Sequence, residues 1–544
     1  MIKLIHFVGF LFLVISITSC SSARFFKQTN PKLAVINESG AAELPNLTDF
    51  STDALYEHCL LLPKSTDIEL VLLTHCTKEL LSRDDLSPMY RSYGVSTYNF
   101  ALYTLVTTDK KLSDIKKKVT LNYSRPINFT FSDEMIAIDN RLKPKFFGEI
   151  GIPIVTNRNN QQLGVEVYYP LEGILRDATI VMTQVKIQGD SFKVSLDILF
   201  HNDKSTIEIG SNNFLLRHSP GSAFLALIEK ANIDDYNWLG FVSPSQAEKR
   251  RGVFAIGDIS KDKIPIIMVH GLNSNPLIWK YLTMSILNEP TLVARYQVWH
   301  IYYPSGPPPF YSASRTRDNL RSLLKELNSP TLADQAVIIG HSMGGIISKL
   351  LATKTNFALW DTAFNKRPDK LLPAVFTDVQ NIFVFEPVFK KSDLFFLDTP
   401  FKGSEVANST IAYLGAFLVT LPGEFTRLFQ DFIKRVGPHV ITAEMQPFLL
   451  DYGPNSIQVL RPGHPLMNTL YDLPISGDAY AIIGSNSALK CQVSTTCADI
   501  SDGVVSYDSA NYRYAKEHII APSSHDSFQS KEAINFILHK LKTM

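Results

Sequence analysis

The chain has 544 residues, 45% of them hydrophobic and 19% charged, which is too long for one ordinary core and too apolar for a disordered chain. Its 53 basic residues balance 52 acidic ones, so no bulk field exists to hold nucleic acid or to repel an acidic substrate. Two folded regions are therefore expected, with no nucleic-acid partner.

The first segment, MIKLIHFVGFLFLVISITSC, has an early Lys3, an apolar run from Leu4 to Ile17 and small residues leading into Cys20, the layout of a secretory signal over residues 1–20. The run falls short of the ~20 apolar residues that a bilayer-spanning helix needs, so export is expected rather than a span. Ile17-Thr18-Ser19-Cys20 resembles a bacterial lipobox. The resemblance implies cleavage before Cys20, lipidation of that residue and a membrane anchor, with Ser21 favouring the outer membrane where the cell has one. The alternative is ordinary cleavage with Cys20 lost or left as a thiol. In an exported chain the remaining cysteines, Cys59 with Cys76 and Cys491 with Cys497, form two locally spaced pairs suited to disulfides. Neither pair has the CxxC spacing of a zinc or redox site, and buried free thiols are the other reading.

Further along, apolar residues recur at helical spacing from Leu55 to Leu81 with a break at Pro63, which predicts two helices that Cys59 and Cys76 could join. A third helical pattern covers roughly Thr97 to Leu105. From Val119 to Phe214 the texture changes to short or alternating apolar runs such as VTLNYS, ATIVMTQVKI and FKVSLDILF, which read as strands. SAFLALIEKA is helical again, and the polar SPSQAEKRRG (243–252) reads as a connector. An N-terminal α+β region over about 45–245 is expected, without a catalytic constellation. Beyond it, over 255–544, IPIIMVHG, RYQVWHIYYP, RDNLRSLLKEL, QAVIIG, GGIISKLLAT, LFFLD, AYAIIG, HIIAP and KEAINFILHKL alternate strand and helix. That alternation predicts a mostly parallel sheet covered on both faces.

The chemistry concentrates in Gly340-His341-Ser342-Met343-Gly344. Its outer glycines fit a sharp strand-to-helix turn that lifts the Ser342 hydroxyl out of the sheet onto a helix N-terminus. AVII before it and IISKLLAT after it supply that strand and helix, so Ser342 is the candidate nucleophile; a merely structural turn is the bland reading.

GHSMGG, VHGLNSN, DTPFKGS (398–404) and SDGVV (501–505) together resemble the α/β-hydrolase superfamily, in its lipase and esterase branch that includes GPI-inositol deacylase-like enzymes. The resemblance covers about 255–544. It implies a Ser-acid-His triad in chain order and an oxyanion hole from the backbone N–H groups of Leu272 and Met343, with His270 shaping its loop. The acid maps onto Asp502, with Asp499 as competitor. Among three late histidines, His518 lies in a strand-like run and His539 in the terminal helix, while His525 sits in a loop after the last strand and is the expected base. Phe401-Lys402 stand where His-Arg is expected, which touches a supporting loop and not the triad.

These readings converge on an exported, lipid-anchored serine carboxylesterase or lipase needing no cofactor or metal. A phospholipase or other lipid-acyl hydrolase is the nearest alternative, and a non-enzymatic envelope lipoprotein that binds through a hydrolase scaffold is the alternative of another class. Residues 409–436, STIAYLGAFLVTLPGEFTRLFQDFIKRV, read equally as packing helices or as an apolar lid. Tyr302, Tyr303, Pro304 and the turn before Phe310 could line the same mouth or simply pack.

Overall fold

The computed structural model describes residues 24–29, 43–111, 119–188, 191–231, 250–368, 377–408, 423–451, 455–486 and 500–544. Cys20, Cys491, Cys497, Asp499 and residues 409–422 of the expected lid lie outside them.

Ser51 caps α1 (Thr52–Leu61) by accepting the Ala54 N–H, and Thr66 opens α2 (Asp67–Leu81) through a reciprocal capping box with Glu69. A disulfide joins Cys59 of α1 to Cys76 of α2. Helix α3 (Pro88–Lys111) extends well beyond the Thr97–Leu105 pattern. Gly94 lets it approach α2: a Cβ there would stand 2.8 Å from the Leu81 side chain. Next come β1 (Val119–Tyr123), β2 (Asn128–Phe131), β3 (Ile152–Arg158), β4 (Ile174–Gln188) and β5 (Ser191–Phe200), which form a sheet in the order β1-β5-β4-β3-β2. Leu70 and Leu73 of α2 and Leu102 and Leu105 of α3 share a core with Ile154, Ile180, Val194 and Leu196 of this sheet.

Helix α4 (Pro220–Lys230) leads toward the second sheet. Its elements are β6 (Gly252–Ile256), β7 (Ile264–Val269), β8 (Tyr296–Tyr302), α5 (Pro309–Leu327), β9 (Gln335–His341), α6 (Met343–Leu351), β10 (Lys391–Leu397), α7 (Gly423–Val436), β11 (Ala479–Gly484), β12 (Glu517–Ala521) and α8 (Lys531–Thr543). The strand order is β6-β8-β7-β9-β10-β11-β12. Strand β6, which the sequence pattern does not announce, pairs antiparallel with β8, and every other pair is parallel. The expected strand-helix alternation is thus present.

Both faces of this sheet are covered, which is why its strands read as nearly continuous apolar runs. Ile267 and Val269 of β7 pack with Leu320 of α5 and Ile346 of α6, while Ile266 and Met268 point to the opposite layer with Ile537 of α8. Phe224, Leu225 and Ile228 of α4 belong to that opposite layer. An element from the N-terminal region therefore covers part of the second sheet. Arg176 of β4 also reaches across, donating from Nη2 to Asp258 Oδ2 at 2.7 Å. No helix among the described residues is long and apolar enough to cross a membrane.

Helix α6 itself carries Lys349, fully buried, whose Nζ donates to the Leu473 carbonyl at 2.6 Å and to the Tyr512 hydroxyl at 2.7 Å. Burial pushes its pKa down to about 7. Between that value and the ordinary lysine range the unfolded chain binds the proton that the folded chain has released, so stability rises with pH. Chemical denaturation from pH 7 to 10 should show wild type gaining roughly 3 kcal/mol relative to Lys349→Met; equal slopes for the two proteins would contradict a neutral buried amine.

Candidate active site

The junction of β9 and α6 sets the site. Ser342 links them with a positive φ of 54°, a left-handed conformation that costs a non-glycine residue energy and turns its hydroxyl away from the sheet. Two backbone bonds hold the turn: the Ser342 N–H donates to Leu397 O at 2.8 Å, and the Gly345 N–H donates to Ser342 O at 2.9 Å. The glycines are dictated by close backbone approach. A Cβ on Gly344 would lie 2.3 Å from Val269 O, and one on Gly340 would lie 2.5 Å from Ser348 Oγ. Gly345, beyond the five-residue motif, would meet Thr399 Oγ1 at 1.9 Å.

Asp502 and His525 lie in the segments that follow β11 and β12. After β11 the chain returns to Asp502, whose Oδ1 accepts the N–H groups of Val504 and Val505, each at 2.7 Å. Those two bonds leave Oδ2 facing His525 Nδ1 at 2.6 Å. On the other side of the ring, His525 Nε2 lies 2.9 Å from Ser342 Oγ. The structure thus brings Ser342, His525 and Asp502 together in one chain of hydrogen bonds. His518 is exposed on β12 and His539 is exposed on α8, neither in contact with this group.

Burial of the His525 ring works against its charged form, but the hydrogen bond and charge of Asp502, aided by Asp398 and Asp526, outweigh it and hold the pKa above the ordinary histidine value. A carboxylate on Nδ1 also fixes the tautomer that leaves Nε2 free to accept the serine proton. His341, the residue before Ser342, is buried and held neutral by that burial, with the Phe528 ring 4.8 Å away.

The His270-Gly271-Leu272 loop runs beside the serine, since a Cβ on Gly271 would lie 2.9 Å from Ser342 Cβ. His270 is buried, neutral through that burial with a pKa lowered to about 4, and stacked on Tyr303 with ring centroids 4.4 Å apart. Its backbone carbonyl accepts the Tyr303 hydroxyl at 2.7 Å, so His270 shapes the loop and Tyr303 packs beneath it rather than lining a mouth. Among the described residues the N–H groups of Leu272 and Met343 donate to no protein acceptor. Two free amides flanking a serine are what an oxyanion needs.

The DTPFKGS loop braces the acid. Phe401 N–H donates to Ser509 O at 3.1 Å, and Ser404 Oγ donates to Val504 O at 2.6 Å. Phe401 itself is buried, its ring stacked on Tyr512 at 4.7 Å, which explains an aromatic at this supporting position. Sequence reading missed Asp398, the first residue of the loop, which is fully buried against His341 and His525. Nothing in strand periodicity separates such a residue from any acid that ends a strand. These three groups do not make a free metal-binding set, because both ring nitrogens of His525 are engaged by Asp502 and Ser342.

Residues 266–527 match the model of the alpha/beta hydrolase family. Among solved structures, mature lipase BlEst2 of Bacillus licheniformis aligns at 14% identity over 54% of this chain and 98% of its own, with a TM-score of 0.30. A lipase-esterase related protein of Clostridium acetobutylicum aligns at 13% identity over 54% of this chain and 98% of its own, with a TM-score of 0.28. An alpha/beta superfamily hydrolase of Oenococcus oeni aligns at 14% identity over 54% and 96%, with a TM-score of 0.26. No curated protein matches the chain. The second sheet and its helices have the α/β-hydrolase fold.

The hydrogen-bond chain has a spectroscopic consequence. Titration of the His525 ring by NMR should give a midpoint above that of an ordinary histidine, and Asp502→Asn should lower it. A midpoint unmoved by that substitution would mean that the carboxylate does not face the ring in solution.

Proposed function

We propose that the protein is an exported serine carboxylesterase or lipase that cleaves carboxylic esters, lipid esters foremost, through an acyl-enzyme on Ser342. The observation that supports this best is the continuous relay from Ser342 Oγ through His525 to Asp502, with spacings of 2.9 and 2.6 Å. In this reading His525 Nε2 takes the Ser342 proton as Oγ attacks the ester carbonyl, and the Leu272 and Met343 amides receive the negative oxygen. The imidazolium, stabilised by Asp502, returns the proton to the departing alcohol. Water then repeats the sequence on the acyl-serine, giving the carboxylic acid and free Ser342.

Apolar packing beside the catalytic residues favours a lipid acyl chain as the acid portion. An apolar pocket lined by Phe310, Phe383, Phe425, Phe429, Val459 and Leu466 lies partly beneath α7, with a volume of only about 30 Å³, too small in this conformation to hold an acyl chain. These residues belong to the same apolar cluster as Met343, and Leu272 packs against that cluster. The lipobox-like N-terminus would place such an enzyme at a membrane surface through Cys20, in the lipase branch that includes GPI-inositol deacylase-like enzymes.

The direct test treats the mature protein with a fluorophosphonate probe and assays it on p-nitrophenyl esters of increasing acyl length. Ser342→Ala should abolish labelling, and His525→Ala should lower kcat/KM by roughly 10⁴-fold or more. Folded wild type that neither labels nor turns over any ester would refute the enzyme and leave a binding scaffold.

A further inference from the structure

A second carboxylate stands beside the relay without a part in it. Asp398 follows β10 with a positive φ of 50° and is 0% exposed. Its Oδ1 accepts the Gly484 N–H at the end of β11 at 2.6 Å. Oδ2 accepts the Ser527 N–H, two residues past His525, at 3.1 Å and lies 3.7 Å from His341 Nε2. One carboxylate oxygen of Asp398 and one ring nitrogen each of His341 and His525 lie within 4.8 Å of one another.

We propose that Asp398 is a positioning residue for His525: it pins the loop that carries the imidazole to the end of β11 and faces the ring with a second negative charge beside that of Asp502. This rests on the serine-hydrolase reading above. The titratable groups around Asp398 are His341, His525 and Asp502, while Asp526 also acts on His525. His341 is kept neutral by burial, so the cation that forms in this cluster is the His525 imidazolium. Burial raises the Asp398 pKa to about 6, with the His525 charge acting the other way, so the carboxylate is ionised from neutral pH upward. Its charge then opposes proton release from His525.

The substitutions Asp398→Asn and Asp398→Gly test this, because both residues tolerate a positive φ and neither carries charge. The pH profile of kcat/KM on a p-nitrophenyl ester is measured for each and for wild type, with fluorophosphonate labelling as the check that Ser342 still reacts. Removing the charge should shift the acidic limb down by about 0.5–1 pH unit. The plateau should fall roughly 3–10-fold through kcat, with KM unchanged. A merely structural role would lower kcat without moving the limb, so a limb at its wild-type position in a labelled, active variant overturns the proposal. Failure of both variants to fold also overturns it, making Asp398 a keystone of the fold instead. Wild type that does not label fails the serine-hydrolase reading itself, a result distinct from either.

Discussion

The left-handed backbone at Ser342 is the constraint to which the rest of the site conforms. A serine with φ of 54° between a strand and a helix is unfavourable by itself and persists only where its surroundings over-determine it. Here the Leu397 carbonyl holds the serine N–H from β10, and Gly340, Gly344 and Gly345 remove the side chains that would keep β9, α6 and the His270 loop apart. Strain at one residue is thus balanced by packing that spans three strands. The result is a hydroxyl held on the C-terminal side of the sheet, where loops from distant parts of the chain can reach it.

Those loops are stitched to each other before they meet the serine. The segment after β10 bonds to the one carrying Asp502 through Phe401 and Ser404, and to the one carrying His525 through Asp398. Asp502 uses one oxygen on two backbone amides and presents the other to the imidazole, so the acid's direction is decided by main-chain geometry. An imidazole set between a serine and carboxylates in a largely dry pocket has its tautomer and basicity determined together. Positioning and electrostatics are one arrangement here.

Much of this was legible in the chain because it is written in periodicity and in glycine. AVII and IISKLLAT around Ser342 announce a strand and a helix, and IPIIMV, LFFL and AYAIIG announce buried parallel strands. His525 was separable from His518 and His539 because those two fall on a regular strand and a regular helix. Three features had no such signal. GVFAI is a short edge strand whose partner lies some fifty residues away, so pairing rather than propensity makes it one. Tyr, Ser and Thr positions dilute the apolar repeat of α3, which hides its full length. Asp398 acquires its neighbours only when three chain segments converge, and convergence leaves no local pattern.

Helix α4 ties the order of synthesis to the architecture. Its apolar face, with Phe224, Leu225 and Ile228, is completed by Ile266 and Met268 of β7 and by Ile537 at the far C-terminus. A chain made from its N-terminus exposes α4 before any strand of the second sheet exists. That face is therefore sticky until nearly the whole polypeptide has been made, a hazard that a chain beginning at residue 255 would escape at the cost of leaving the sheet's own surface bare. One helix that precedes the layer it completes thus has its apolar face fully covered only when the C-terminal end of the chain has docked.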